Sequence, residues 1–120
     1  MNVEKRIEIE KKVVRKLVRE MKAAGWMPIN VFDGEETVPV STETEVLDNV
    51  FAVDDSRIVF RKTVAPLAPM RRTAVIVLGN DGWDCIADHS CSKDHKHDDF
   101  EKIMDEVIYP YCEKLELENS

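Results

Sequence analysis

"TAVIVLGNDGWDCIAD" (residues 73–88) decides the fold of this 120-residue chain. Residues 73–78 are β-branched and apolar on both faces, which predicts a central strand of a sheet. Residues 83–88 alternate Trp83, Cys85 and Ala87 against Asp84, Ile86 and Asp88, the period of a second strand. Between them, Gly79-Asn80-Asp81-Gly82 suits a type I turn followed by a glycine bulge, with Gly82 at positive φ. The stretch is a β-hairpin, and the elements around it must cover its apolar side.

Downstream, Phe100, Ile103, Met104, Val107, Ile108, Tyr111 and Leu115 form a helical stripe, with Asp98 as N-cap and Glu101 three positions on. Pro110 removes a backbone hydrogen bond and predicts a kink or split after about Glu106. Upstream, "RIVFRKT" (residues 57–63) reads as a strand with Ile58 and Phe60 on one face and Arg57, Val59 and Arg61 on the other. Thr42 and Glu45 match a capping box and open a short helix through Val46, Leu47, Val50 and Phe51. "WMPINVF" (residues 26–32) reads as a strand, with Pro28 favouring an edge or a strand start, and "DGEET" after it as a turn or loop.

The chain begins with an amphipathic helix over residues 3–24, marked by Val3, Ile7, Val14, Leu17, Val18 and Met21. Gly25 suits the left-handed position that closes it, and Trp26 follows where it folds back onto Met21. Ile9 and Val13 lie off the main stripe, which implies contact on a second side, as the second copy in a homodimer supplies. The order α-β-α-β-β-β-α, without repeats, predicts one α+β domain over residues 1–120. Its antiparallel sheet has about four strands, with helices mainly on one face.

A hydrophobic share of 43% and a charged share of 34% fit a small folded domain better than a disordered chain. No apolar run approaches the roughly 18 residues that span a bilayer, and the first 25 residues are charged throughout, so no membrane association and a cytoplasmic location are expected. Cys85, Cys91 and Cys112 are an odd set without CxxC spacing, which predicts reduced thiols.

The net charge of −7 conceals an asymmetry. Residues 1–25 hold Lys5, Arg6, Lys11, Lys12, Arg15, Lys16, Arg19 and Lys22 against four glutamates, whereas residues 33–55 carry eight acids and no base. From Asp94 onward the balance is −6. The basic first helix offers phosphates an electrostatic footprint, but its glutamates are spaced to pair at i,i+4, Glu8 with Lys12 for example, as on an ordinary solvated face.

A second basic cluster, Arg61 and Lys62 with Arg71 and Arg72, flanks the loop "TVAPLAP", whose apolar members are Val64 and Leu67, with Met70 just beyond it. If the two strands pair, the four cations meet at the base of this loop, which either presents a recognition surface or folds onto its own sheet. Cys85, His89, Cys91, His95 and His97 supply enough donors for a zinc ion, yet their spacing matches no usual structural zinc pattern, and a solvated helix-capping linker explains the segment as well. Cys91 with His89 or His95 lies among acids that disfavour a thiolate. Nucleophile, base and oxyanion site are nowhere specified together, so no catalytic residue and no cofactor is expected.

"VIVLGNDGWDCIADHS" (residues 75–90) followed by "DDFEKIMDEV" (residues 98–107) resembles a segment of small bacteriophage- and plasmid-borne proteins for which no activity is established. The resemblance implies a bacterial mobile-element accessory protein acting in the cytoplasm and carries over no functional residue.

The expectation is therefore a non-catalytic protein that binds a macromolecule, first a protein partner, through Arg61, Lys62, Val64, Leu67, Met70, Arg71 and Arg72 and the outer face of the first helix. Nucleic-acid binding through the first helix and the four cations is the first alternative, and zinc binding through residues 85–97 the second.

Overall fold

The computed structural model describes residues 2–90 and 98–120. Helix α1 (Val3–Ala23) starts at Asn2, whose side chain accepts a hydrogen bond from the Lys5 amide. It ends as its sequence dictates. Gly25 takes φ +91°, the Gly25 amide bonds back to the Lys22 carbonyl, and the Trp26 amide reaches the Met21 carbonyl at 2.8 Å. That closure drives Trp26 into the core and delivers the chain to β1 (Met27–Phe32).

An Asp33 carboxylate that accepts the Glu35 and Glu36 amides turns the chain into β2 (Thr37–Pro39). Helix α2 (Glu43–Val50) follows with the expected Thr42/Glu45 capping box. Then come β3 (Asp55–Lys62), β4 (Met70–Val77) and β5 (Ile86–His89). The chain closes with α3 (Phe100–Ile103), a π-helical turn (Met104–Ile108) and α4 (Tyr109–Asn119).

The fold is α+β, and the five strands pair antiparallel in the order β2-β1-β3-β4-β5. The strand missing from the expected order is β2, three residues ending in a proline, which carries no periodic signal. Because β2 begins its pairing at Asn30, Pro28 sits beyond its reach beside a bulge, so β1 is an inner strand with a proline at its uncovered end. The apolar run forms β4, an inner strand paired with β3 on one side and β5 on the other, while β3 is the middle strand of the five.

The hairpin of β4 and β5 is present with Gly82 at φ +103°, but its connection is longer than expected. Trp83 and Asp84 belong to the turn, where the Asp84 carboxylate accepts the Asp81 and Gly82 amides at 3.1 and 3.2 Å. Cys85 and Ile86 are consecutive buried residues, so the strict alternation read from residues 83–88 does not hold.

Period-two alternation sends Ile58, Phe60, Ala74, Ile76 and Val31 to one sheet face, where they meet α1, α2 and the C-terminal helices. Ile9 and Val13 are buried within this same chain, so the second contact side of α1 is intramolecular. Glu10 is also buried; its carboxylate accepts the Gly79 amide at 2.9 Å and lies 3.5 Å from Arg6 Nε, tying α1 to the turn after β4. The split near Pro110 takes the form of the π turn, in which the Tyr109 amide bonds the Met104 carbonyl. Pro110 then falls in the first turn of α4, where its missing N–H leaves no gap.

Candidate functional site

Register divides the four-cation cluster in two. Arg61 lies directly opposite Arg71, whereas Arg72 is opposite Phe60 and Lys62 opposite Met70. Partners opposed across antiparallel strands point to the same face. Lys62 and Arg72 therefore turn with Phe60 toward the helices, and Arg61 and Arg71 turn away from them.

On the helix side the two cations are committed. Arg72 Nε donates to Asp98 Oδ2 at 2.8 Å, and Lys62 Nζ donates to Asp99 Oδ1 at 3.1 Å. The same Asp99 oxygen accepts Trp26 Nε1–H at 2.7 Å, while Lys62 and Arg72 lie 5.7 and 6.0 Å from the Trp26 ring centre. Trp26 meets Phe100 edge-on at 5.3 Å, a geometry worth about 0.5–1.5 kcal/mol beyond the area buried.

Partial burial works to raise the Asp99 carboxyl, but the Trp26 and Lys62 hydrogen bonds and the Lys62 charge outweigh it and hold it below the ordinary carboxylate value. The helix cap is displaced by one residue from the expected Asp98. Asp99 occupies the cap position, and Asp98 accepts the Phe100 amide at 3.2 Å while holding Arg72. The pairing of adjacent acids with cations on two strands is invisible to a local reading of the sequence.

On the other side no described element covers the sheet. Its face carries Met27, Asn30 and Phe32 from β1, Arg57, Val59 and Arg61 from β3, and Arg71, Thr73 and Val75 from β4. A shallow depression of about 640 Å³ runs across it, lined among others by Asn30, Phe32, Arg57, Val59, Arg71 and Thr73. None of Arg57, Arg61 and Arg71 makes an ion pair with a described residue.

The charge is uneven along the face. Arg57 shares a smaller hollow with Asp33 and Asp55, and Asp88 of β5, opposite Val75, lines the larger depression with Arg57 and Arg71, whereas neither Arg61 nor Arg71 has an acid directly opposite it across β3 and β4. Around that basic end lie exposed Met27, whose register partner is Arg61, and the tip of the β3–β4 hairpin with exposed Leu67. Val64 is half-buried, and Met70 packs against the core instead of standing out as a contact.

The remaining expected sites are scattered. On α1, Arg6 pairs with Glu10, Lys16 with Glu20 and Arg19 with Glu43. Lys11 and Lys16 stand over the Phe51 and Tyr111 rings. Lys5, Lys12, Arg15 and Lys22 make no ion pair with a described residue.

Of the zinc candidates, Cys91, His95 and His97 lie outside the described residues. Cys85 is buried beside Cys112, and His89 Nδ1 is 2.7 Å from the Tyr109 hydroxyl with its ring against Phe100. Among the described residues no group of three or more His, Cys, Asp or Glu is placed to hold a metal ion.

Burial, reinforced by the neighbouring Cys112, Glu10 and Asp84, drives the Cys85 thiol far above its ordinary value. Burial followed by Asp84 pushes Cys112 up to about 11. Both stay protonated at neutral pH and present no thiolate. In a Cys91→Ser variant, Ellman's reagent at pH 8 is expected to find no reactive thiol in the native protein and both thiols in guanidinium; rapid release from the folded state would contradict this burial.

Comparison of the chain with protein-family models, with curated proteins and with solved structures finds no match. No helix among the described residues is long and apolar enough to cross a membrane.

Proposed function

We propose that this chain is a non-catalytic binding module that captures a protein partner on the open face of its sheet, at the end formed by Arg61, Arg71, Met27 and Leu67. The observation that carries the reading is the uncovered face itself, which joins two exposed arginines, without an ion pair among the described residues, to exposed apolar side chains. Arginine beside apolar surface is the composition of protein interfaces, and the positive end selects a partner with acidic character. Lys62 and Arg72, bound to Asp99 and Asp98, support the scaffold and leave recognition to the outward pair. An accessory role of this kind agrees with what the resemblance to phage- and plasmid-borne proteins implies.

The test is affinity capture from the native host with the wild type and with Arg61→Glu/Arg71→Glu. The expected result is a stoichiometric protein held by the wild type and weakened at least about tenfold by the double reversal, with an unchanged unfolding midpoint. A partner retained equally by both proteins removes this face. Oligonucleotide binding that falls steeply with salt and disappears in the same variant transfers the face to nucleic acid.

A further inference from the structure

Arg61 and Arg71 are exposed and directly opposed on neighbouring strands, with no acid among the described residues to separate them. Like charges in that position repel at a Cβ separation of roughly 5 Å and weaken the sheet. Among the described residues nothing pairs with their charge, in contrast to Arg72 one residue further on, which is locked to Asp98. Two arginines opposed in register on adjacent strands place their guanidinium groups within reach of one oxyanion shared between them. Thr73, on the same face two residues after Arg71, and Asn30, which shares Val59 as register neighbour with Thr73, add neutral donors at the border.

We infer that Arg61 and Arg71 form a clamp for a dianionic phosphate monoester, presented by a phosphorylated side chain of the docked partner. The charge match decides the class. Two cations neutralise one dianion, whereas a carboxylate or the phosphodiester of a nucleic-acid backbone brings a single negative charge. The phosphorylated partner rests on the docking reading above; the clamp itself belongs to the isolated domain and is tested without a partner.

The probe is inorganic phosphate at constant ionic strength, read by the thermal midpoint and by the Arg side-chain NMR signals. Phosphate at pH 7.5 is expected to raise the midpoint by about 5 °C at roughly ten times its dissociation constant. Acetate and dimethyl phosphate, both monoanions, are expected to leave it unchanged. The response should weaken at pH 5.5, because inorganic phosphate gives up its second proton close to neutrality and a phosphate monoester near pH 6, while arginine remains charged throughout.

Arg61→Gln and Arg71→Gln should each abolish most of the response and, by removing the like-charge contact, leave the midpoint in chloride unchanged or slightly raised. O-phosphoserine should reproduce the phosphate effect. An equal response to acetate or dimethyl phosphate, or a phosphate response surviving both substitutions, overturns the clamp. A partner captured through this face by a protein indifferent to phosphate sinks the clamp alone; a clamp without any captured partner sinks the docking reading alone.

Discussion

Replacing Asp98 with alanine is expected to lower the thermal midpoint by roughly 10 °C, corresponding to a loss of about 3 kcal/mol. The Asp98 side chain is only 2% exposed and its partner Arg72 only 17%, so the pair lies largely out of water. Removing one member of such a pair leaves the other charge desolvated without compensation, which costs far more than the intact pair contributes. Asp98 also accepts the Phe100 amide at the start of α3, so alanine additionally strands a donor.

Asp98→Asn separates the two effects: it keeps an acceptor for Phe100 while discarding the charge, and should fall between wild type and alanine. Arg72→Met with Asp98→Ala should recover part of the loss, because a methionine over Trp26 retains apolar contact and leaves no orphan charge. The measurement is a double-mutant cycle by urea unfolding. An alanine cost below about 1 kcal/mol, or additive single and double changes, would show that Arg72 and Asp98 do not depend on each other.

Contrast between the two sheet faces links this latch to the proposed function. Lys62 and Arg72 differ from Arg61 and Arg71 by single steps along the same strands, yet the pleat assigns one pair to a polar seam over Trp26 and the other to the open face. Substituting all four together, as the sequence cluster invites, would mix unfolding with loss of contact. Only the outward pair tests recognition cleanly.

Much of this division was legible. Counting in twos from Ile58 and Phe60 puts Lys62 on the buried side, so the strand period alone marked it as different from Arg61. Charge, taken by itself, grouped them. The ends of α1 and α2 were readable because a glycine closure and a capping box are short-range chemistry.

What stayed hidden depends on distant partners. Glu10 falls on the line of Ile7, Val14, Leu17 and Met21, an apolar stripe interrupted by an acid, but its reason is the Gly79 amide 69 positions away. Asp98 and Asp99 look like helix-start acids until β3, β4 and Trp26 are folded against them. Trp83 was misplaced for a local reason: the Asp84 carboxylate competes for the turn amides and delays the strand until Ile86.

Gly82→Ala is expected to cost about 3 kcal/mol, the sum of a backbone term and a packing term. At φ +103° a side chain is strained wherever it points, and a Cβ at this position would lie 3.1 Å from the Arg6 carbonyl oxygen and 3.1 Å from Ile9 Cβ. Those atoms belong to α1, held in place by its own ladder and by Glu10, so the turn must shift instead of the helix. Gly25→Ala is the control. Its φ of +91° brings the same kind of strain, but the nearest atom to its Cβ is the flexible Lys62 Cε at 3.6 Å. It should therefore lose only about 1–2 kcal/mol. Urea unfolding of the two variants, side by side, separates conformation from close approach. Equal losses would mean that the contact between the β4–β5 turn and α1 contributes nothing, and that this hairpin is held by its own strands alone.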